Sequence, residues 1–295
     1  MASLKDIRAQ IESTKNTQQI TKAMKLVSAA KLRKAQNNIV NMRPYALTLR
    51  KVIADIAVTN KVTHPLMEKK EQVKNVLLVV ITSDRGLCGA FNSNINKFTE
   101  AYYNENKSKL EKIDFLFVGR RGHDYFARRG IKPVDYITKL DKDISYELAS
   151  KVANRVMNDY LEGAYDEVRI VHNEFKSAIS QVVVAETILP IDLGLTTFNT
   201  DAEANSNFAV DMIFEPAPEQ IIKELLEKHF DLQVYRCMSE SVAGEHGARM
   251  SAMENATNNA KEMINKLTLT YNKLRQEKIT TELIEIVSGA EALKG

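Results

Sequence analysis

Apolar residues recur every three or four positions at both ends of this chain and form short unbroken runs in between. Near the N-terminus Leu4, Ile7 and Ile11, then Ile20, Met24 and Val27, then Tyr45, Leu49, Val52 and Ile56 keep helical spacing. The spacing predicts one long helix from Ser3 to about Thr59, where glycine is absent and Pro44 is the only proline. Ser3 is placed to cap it, because a serine oxygen can accept from the orphan amides of a first turn. Pro44 predicts a kink, since proline has no amide to bond one turn back. The apolar register slips around Asn16 to Gln18, so the pattern is not read as a strict heptad. The block Val62 to Lys74, with His64-Pro65, reads as a linker.

The pattern then changes. Val76 to Thr82 is a continuous apolar run of strand length, followed by a polar, glycine-containing turn and a predicted helix from Asn92 to Lys109. Phe115 to Val118 and Val134 to Ile137 read as further strands with a short helix between them, and Ser145 to Glu162 as a helix. Val168 to Phe175 and Gln181 to Leu189 read as strands, an antiparallel pair at one edge. Strands alternating with helices predict a mostly parallel sheet covered on its faces.

Helical spacing resumes after Pro216 and Pro218 at Ile221, Leu225 and Leu226. From Ala248 to Ser288 there is neither glycine nor proline, and Met253, Ala256, Ala260, Ile264, Leu267, Tyr271 and Leu274 form a seam like that of a coiled coil. A helix of about 40 residues is roughly 60 Å long and needs a partner along its length. The N-terminal helix is the evident one. The fold expected is α/β: long N- and C-terminal helices forming an antiparallel coiled coil, with a central Rossmann-like α/β domain. The expected divisions are 1–60, 75–200 and 211–290.

Composition sharpens this. Eleven glycines and six prolines in 295 residues are few, which suits long uninterrupted elements. Two cysteines, Cys88 and Cys237, build no disulfide framework and fit a reducing compartment. No signal peptide is read at the N-terminus, and no apolar run is long enough to span a bilayer, so membrane association is expected only through partners.

The net charge is only +3, but its distribution is uneven. Between Ser13 and Ala54 there is no acidic residue, against nine basic ones: Lys15, Lys22, Lys25, Lys31, Arg33, Lys34, Arg43, Arg50 and Lys51. A solvated helix normally mixes signs, so this one predicts an acidic partner. Nucleic acid is disfavoured because the stretch has one aromatic residue, Tyr45, and no known binding motif. A lipid surface is disfavoured because the apolar face is modest and claimed by the coiled coil. An acidic protein surface remains. So does neutralisation within the chain, since the C-terminal helix carries Glu254, Glu262, Glu277, Glu282 and Glu285.

The turn Ser83-Asp84-Arg85-Gly86-Leu87-Cys88-Gly89 between a strand and a helix has the position of a phosphate cradle. It matches neither the dinucleotide nor the P-loop pattern, so it reads as a tight turn in which Gly86 and Gly89 supply positive φ. Cys88 could act as a nucleophile with His123 or His172 as base, but no local motif supports that pairing. The five histidines show no metal-ligand spacing with one another or with the cysteines. No catalytic residue, cofactor or metal is expected. A free-standing coiled-coil scaffold and a nucleotide-binding α/β enzyme are the competing classes.

Three segments resemble one family. Ile20 to Lys34, reading ITKAMKLVSAAKLRK, is similar to the N-terminal motif of F-type ATP synthase gamma subunits. So are Ser83 to Asn92 in the middle, and at the end Tyr271 to Gln276, Ile279-Thr280, Glu282-Leu283 and Glu285 to Ala290. The resemblance spans the chain in order. It implies a non-catalytic rotor shaft inside a hexamer of three alpha and three beta subunits, coupling proton flow through the membrane sector to ATP synthesis or hydrolysis at the beta subunits. It also implies a place on the cytoplasmic face of a bacterial plasma membrane, held there by partners. Lys22, Met24, Lys25, Lys31, Arg33 and Lys34 would face acidic loops of beta, and Arg275, Gln276 and Thr280 would meet beta higher in the hexamer. Ile213, Phe214 and Glu215 would rest on the c-subunit ring beside epsilon. The chain departs from the family at Gly244 and Gly247, where a soft spot or bend is expected. It also lacks the cysteine-bearing segment of chloroplast forms.

Overall fold

The computed structural model describes residues 3–60, 64–138, 145–177, 180–192 and 216–292. The chain groups into two compact units, Met1–Ser28 with Arg249–Gly295, and Ala29–Ala248. Helices α1 (Leu4–Asn60) and α5 (Pro218–Ala292) contribute to both.

In the first unit α1 starts at a reciprocal cap. Ser3 Oγ accepts from the Asp6 amide at 3.2 Å, and Asp6 Oδ2 accepts from the Ser3 amide at 3.1 Å. The least exposed positions of α1 here are Leu4, Ile7, Ile11, Thr14, Gln18, Thr21, Lys25 (with Met24 beside it) and Ser28. They alternate spacings of three and four, which is a regular heptad. On α5, Met253, Thr257, Ala260, Ile264, Leu267, Tyr271 and Leu274 do the same. The register therefore does not slip near Asn16. What changes is the filling, because Thr14, Gln18, Thr21, Lys25 and Ser28 occupy seam positions that a coiled coil usually gives to leucine or isoleucine. Thr21 and Thr257 meet across the seam with their hydroxyl oxygens 2.8 Å apart, and Lys25 Nζ lies 2.7 Å from Glu254 Oε1.

The second unit is built on a five-stranded sheet in the order β3-β2-β1-β4-β5. Its strands are β1 (Asn75–Ile81), β2 (Lys112–Val118), β3 (Asp135–Ile137), β4 (Glu167–Phe175) and β5 (Gln181–Leu189). The first four are parallel, and β5 pairs antiparallel with β4 at the edge, as the sequence predicts. β1 is central and covered on both faces, which is why its residues are apolar without alternation. Leu77, Val79 and Ile81 pack with α4 (Tyr146–Leu161) and with segments of α1 and α5. Val76, Leu78 and Val80 pack with α2 (Phe91–Asn106) and α3 (Arg120–Ala127).

Pro44 does not end α1, which continues through it. The cost of a proline inside a helix, about 3 kcal/mol, is offset by burying Leu49, Ile53, Ile56 and Ala57 in the core that follows. Nor do Gly244 and Gly247 interrupt α5. Gly244 lies against the sheet: a Cβ there would stand 3.4 Å from Asn173 Cβ and 3.5 Å from the Phe91 ring.

Candidate partner interface and the turn after β1

The turn after β1 is filled by its own side chains. The Ser83 amide donates to Asn92 Oδ1 at 3.0 Å, and Asn92 Nδ2 donates to Ser83 Oγ at 2.7 Å and to Cys88 Sγ at 3.2 Å. Asp84 Oδ1 accepts from the Arg120 amide at 2.8 Å, so a carboxylate already occupies the N-terminus of α3, where an anion would be drawn. Gly89 has φ +57, as expected, but Gly86 does not take a positive φ; Leu87 does instead, at +63. Gly119, preceding α3, has φ +109, and a Cβ there would lie 2.1 Å from the Thr82 carbonyl oxygen. A surface cavity of about 610 Å³ opens beside this turn, lined by Asp84, Arg85, Arg120, His123, Asp124, Tyr136 and Thr138. Its lining balances Asp84 and Asp124 against Arg85 and Arg120 and so offers no net positive charge, and the self-bonded turn favours a structural role over a phosphate cradle.

The nucleophile reading fails on geometry. Cys88 is buried and packs on the α2–α3 face of the sheet. His172 instead meets Glu240 of α5, with Nε2 at 3.5 Å from Oε2, and its neighbour Cys237 belongs to the opposite core. His123 stacks on Tyr136 with ring centroids 4.3 Å apart and reaches Asp124 Oδ1 at 3.3 Å.

The residues expected to meet partners are placed unequally. In the first unit Lys22 is exposed, Met24 and Lys25 are half-buried, and Lys25 is engaged by Glu254. That pair realises part of the intrachain neutralisation. Lys22, Lys31 and Arg33 make no ion pair among the described residues. Lys31 is half-buried, while Arg33 and Lys34 are exposed, all three on the part of α1 that belongs to the second unit. Arg275, Gln276 and Thr280 are exposed on α5, about 30 Å along the helix from Glu254. Ile213, Phe214 and Glu215 lie outside the described residues.

The sequence reads Ile20 and Val27 as part of an apolar helical face claimed by the coiled coil, and the structure corrects this. Ile20 (59% exposed), Leu26 (65%) and Val27 (58%) point away from α5, while threonine, lysine and serine point toward it. Toward the end of α5 residues 275–291 are all exposed, Ile279, Leu283, Ile284, Ile286 and Val287 among them. Apolar side chains outside and polar ones inside are the reverse of a helix pair that satisfies itself, and such surface marks an interaction site. The signal was available in the sequence, since the apolar positions fell off the heptad.

The family model described as ATP synthase matches residues 3–293. The ATP synthase gamma chain of Bdellovibrio bacteriovorus is 94% identical over 295 residues, covering all of both chains. That of Chlorobium phaeobacteroides is 45% identical, again over the full length of both. Among solved structures, a chain of the Tetrahymena thermophila mitochondrial ATP synthase central stalk and c-ring has a TM-score of 0.60 at 29% identity, covering 80% of this chain and 99% of that one. A chain of the Euglena gracilis mitochondrial ATP synthase in rotational state 3 has a TM-score of 0.66 at 23% identity, covering 98% and 94%.

Proposed function

The chain belongs to the family of ATP synthase gamma chains, and we propose that its first unit is a bearing surface enclosed by alpha and beta subunits. As a gamma chain it is the non-catalytic central stalk of the rotary ATP synthase. It transmits rotation driven by proton flow in the membrane sector to catalytic sites on beta. Three alpha and three beta subunits surround the helix pair, while epsilon and the c-subunit ring meet the other end. No described helix is long and apolar enough to cross a membrane. The chain is held at the membrane as part of the membrane-associated complex, on the cytoplasmic face of the bacterial plasma membrane in this reading.

One observation carries the proposal: Ile20, Leu26 and Val27 face outward from a seam filled by polar groups. Lys22 and Arg33 add positive charge to α1 for acidic loops of beta. Arg275, with its planar fork of donors, Gln276 and Thr280 offer polar contacts farther along α5. Exposed ion pairs are individually worth about 0–1 kcal/mol, so the charges orient the shaft while apolar contact and steric fit carry load. Charged replacements at Ile20 and Val27 test this. Ile20→Asp with Val27→Asp should leave the melting of the isolated chain unchanged and prevent its assembly with alpha and beta. Normal assembly and normal coupled ATP synthesis would refute the bearing surface.

A further inference from the structure

The second unit contains a buried constellation that the shaft role does not use. His172 on β4, Glu186 on β5 and Cys237 on α5 bring one donor atom each to within 4.8 Å of one another. Glu240, one helical turn after Cys237, adds Oε2 at 3.5 Å from His172 Nε2. His172 is fully buried, yet neither ring nitrogen has a hydrogen-bond partner of acceptable geometry, and Glu240 Oε2 is likewise unpartnered. Buried polar atoms are rarely left so. A ring nitrogen of His172 and Glu240 Oε2 stand together beside the Cys237 thiol.

We propose that His172, Glu186, Cys237 and Glu240 form a four-coordinate site for a divalent d-block cation of the Zn²⁺ class, clamping α5 to the β4–β5 pair. The donor set of one imidazole, one thiolate and two carboxylates suits that class rather than Mg²⁺ or Ca²⁺, which take oxygen alone. Tetrahedral donors at zinc distances stand roughly 3.4–3.8 Å apart, so closure of about an ångström brings His172, Glu186 and Cys237 to that spacing, and Glu240 joins them by turning the Oε2 that lies beside His172 Nε2 toward the same point. Arg236 occupies the other carboxylate oxygens, with Nη2 at 2.5 Å from Glu186 Oε1 and Nη1 at 3.2 Å from Glu240 Oε1. The Oε2 of each carboxylate lies toward the cluster, that of Glu186 accepting from Cys237 Sγ at 4.0 Å and that of Glu240 at 3.5 Å from His172 Nε2, and the guanidinium orients both carboxylates from outside.

Charge supports the assignment. Two carboxylates against one guanidinium leave one excess negative charge in a half-buried place, which carries a cost. A thiolate and a divalent cation together bring the group to neutrality. Burial pushes the Cys237 thiol up, so without a cation it keeps its proton. Binding then forms the sulfur–metal bond as the thiol proton leaves to water, which makes affinity rise with pH. Access is through Glu186, which also lines a pocket of about 140 Å³ with Arg50, His229 and Gln233.

The test is a Co²⁺ titration of the full chain, free of affinity tags and stripped with chelator, followed by displacement with Zn²⁺. One equivalent of Co²⁺ should give a thiolate-to-cobalt charge-transfer band and the intense visible bands of four-coordinate cobalt, all lost on adding Zn²⁺. Cys237→Ala should abolish the charge-transfer band, Cys88→Ala should leave it unchanged, and Glu240→Gln should weaken Co²⁺ binding at least about tenfold. Circular dichroism confirms that each variant is folded. Should Cys237→Ala unfold the chain, Glu240→Gln and Cys88→Ala decide the matter. No charge-transfer band at one equivalent, or one removed by Cys88→Ala, would overturn the proposal. The cluster would then be an ion network of Glu240, Arg236 and Glu186 around a buried His172.

Discussion

His229 makes acid sensitivity of the second unit a quantitative expectation. It is buried on α5, and its Nδ1 has no hydrogen-bond partner among the described residues. Burial, then the positive charges of Arg50 and Arg236, depress its pKa from 6.5 to about 4. The folded chain therefore keeps this imidazole neutral down to about pH 4, whereas the unfolded chain protonates it near 6.5. Stability from His229 is complete above pH 6.5 and is lost as pH falls toward 4, because there the unfolded state binds the extra proton. At about 1.4 kcal/mol per pKa unit, a gap from 6.5 to about 4 corresponds to a loss of about 3 kcal/mol. That is a large fraction of the 5–15 kcal/mol that holds an ordinary domain together. Urea unfolding followed by far-ultraviolet circular dichroism, from pH 7.5 to 4, compares the parent with His229→Leu. The other histidines and the carboxylates titrate in both, so the difference isolates His229. The parent should lose about 3 kcal/mol more than the variant over this range. Parallel stability profiles would show that His229 accepts a proton in the folded chain and would refute the argument.

Three further outcomes follow from packing. Thr21→Val and Thr257→Val should be coupled by about 0.5–1 kcal/mol, because the two hydroxyls bond each other across the seam while each keeps a carbonyl of its own helix, Gln18 or Met253, when the other is removed; additive effects in a double-mutant cycle would contradict the 2.8 Å contact. Gly119→Ala should destabilise the second unit by about 2 kcal/mol or more, since its Cβ would meet the Thr82 carbonyl at 2.1 Å; an unchanged melting temperature would count against the turn as described. Gly244→Ala should be neutral or stabilising by up to about 1 kcal/mol, because its Cβ would find ordinary contact distances; marked destabilisation would mean α5 packs closer to the sheet than the structure shows.

Local pattern made much of this fold legible. β1 and β5 were readable because burial on both faces, or pairing at an edge, writes itself into short apolar runs bounded by polar turns. Ser145, predicted to open a helix, accepts from the Leu148 amide as its cap. What pattern could not give was how a polar residue behaves once a partner helix is present. Thr21 and Thr257 sit in the seam because each finds the other across it. Apolar periodicity, which follows Ile20 and Val27 instead, therefore meets an apparent slip. The exchange of roles between Gly86 and Leu87 is similar: the turn needs two left-handed residues, and their identity follows from the bonds of Ser83 and Asn92. The His172, Glu186, Cys237 and Glu240 cluster left no local trace, because sheet pairing and α5 assemble it from distant positions.

The bearing-surface claim is tested most directly by hydroxyl-radical footprinting of the chain alone and assembled with alpha and beta. Free in solution, Ile20, Leu26, Val27, Leu283, Ile284 and Ile286 should label readily, as their exposure dictates. In the assembled complex their labelling should fall several-fold, while Val134 and Tyr136 on the second unit, also exposed, should change little. Equal labelling of the six residues in the free and assembled states would contradict a shaft enclosed by its partners.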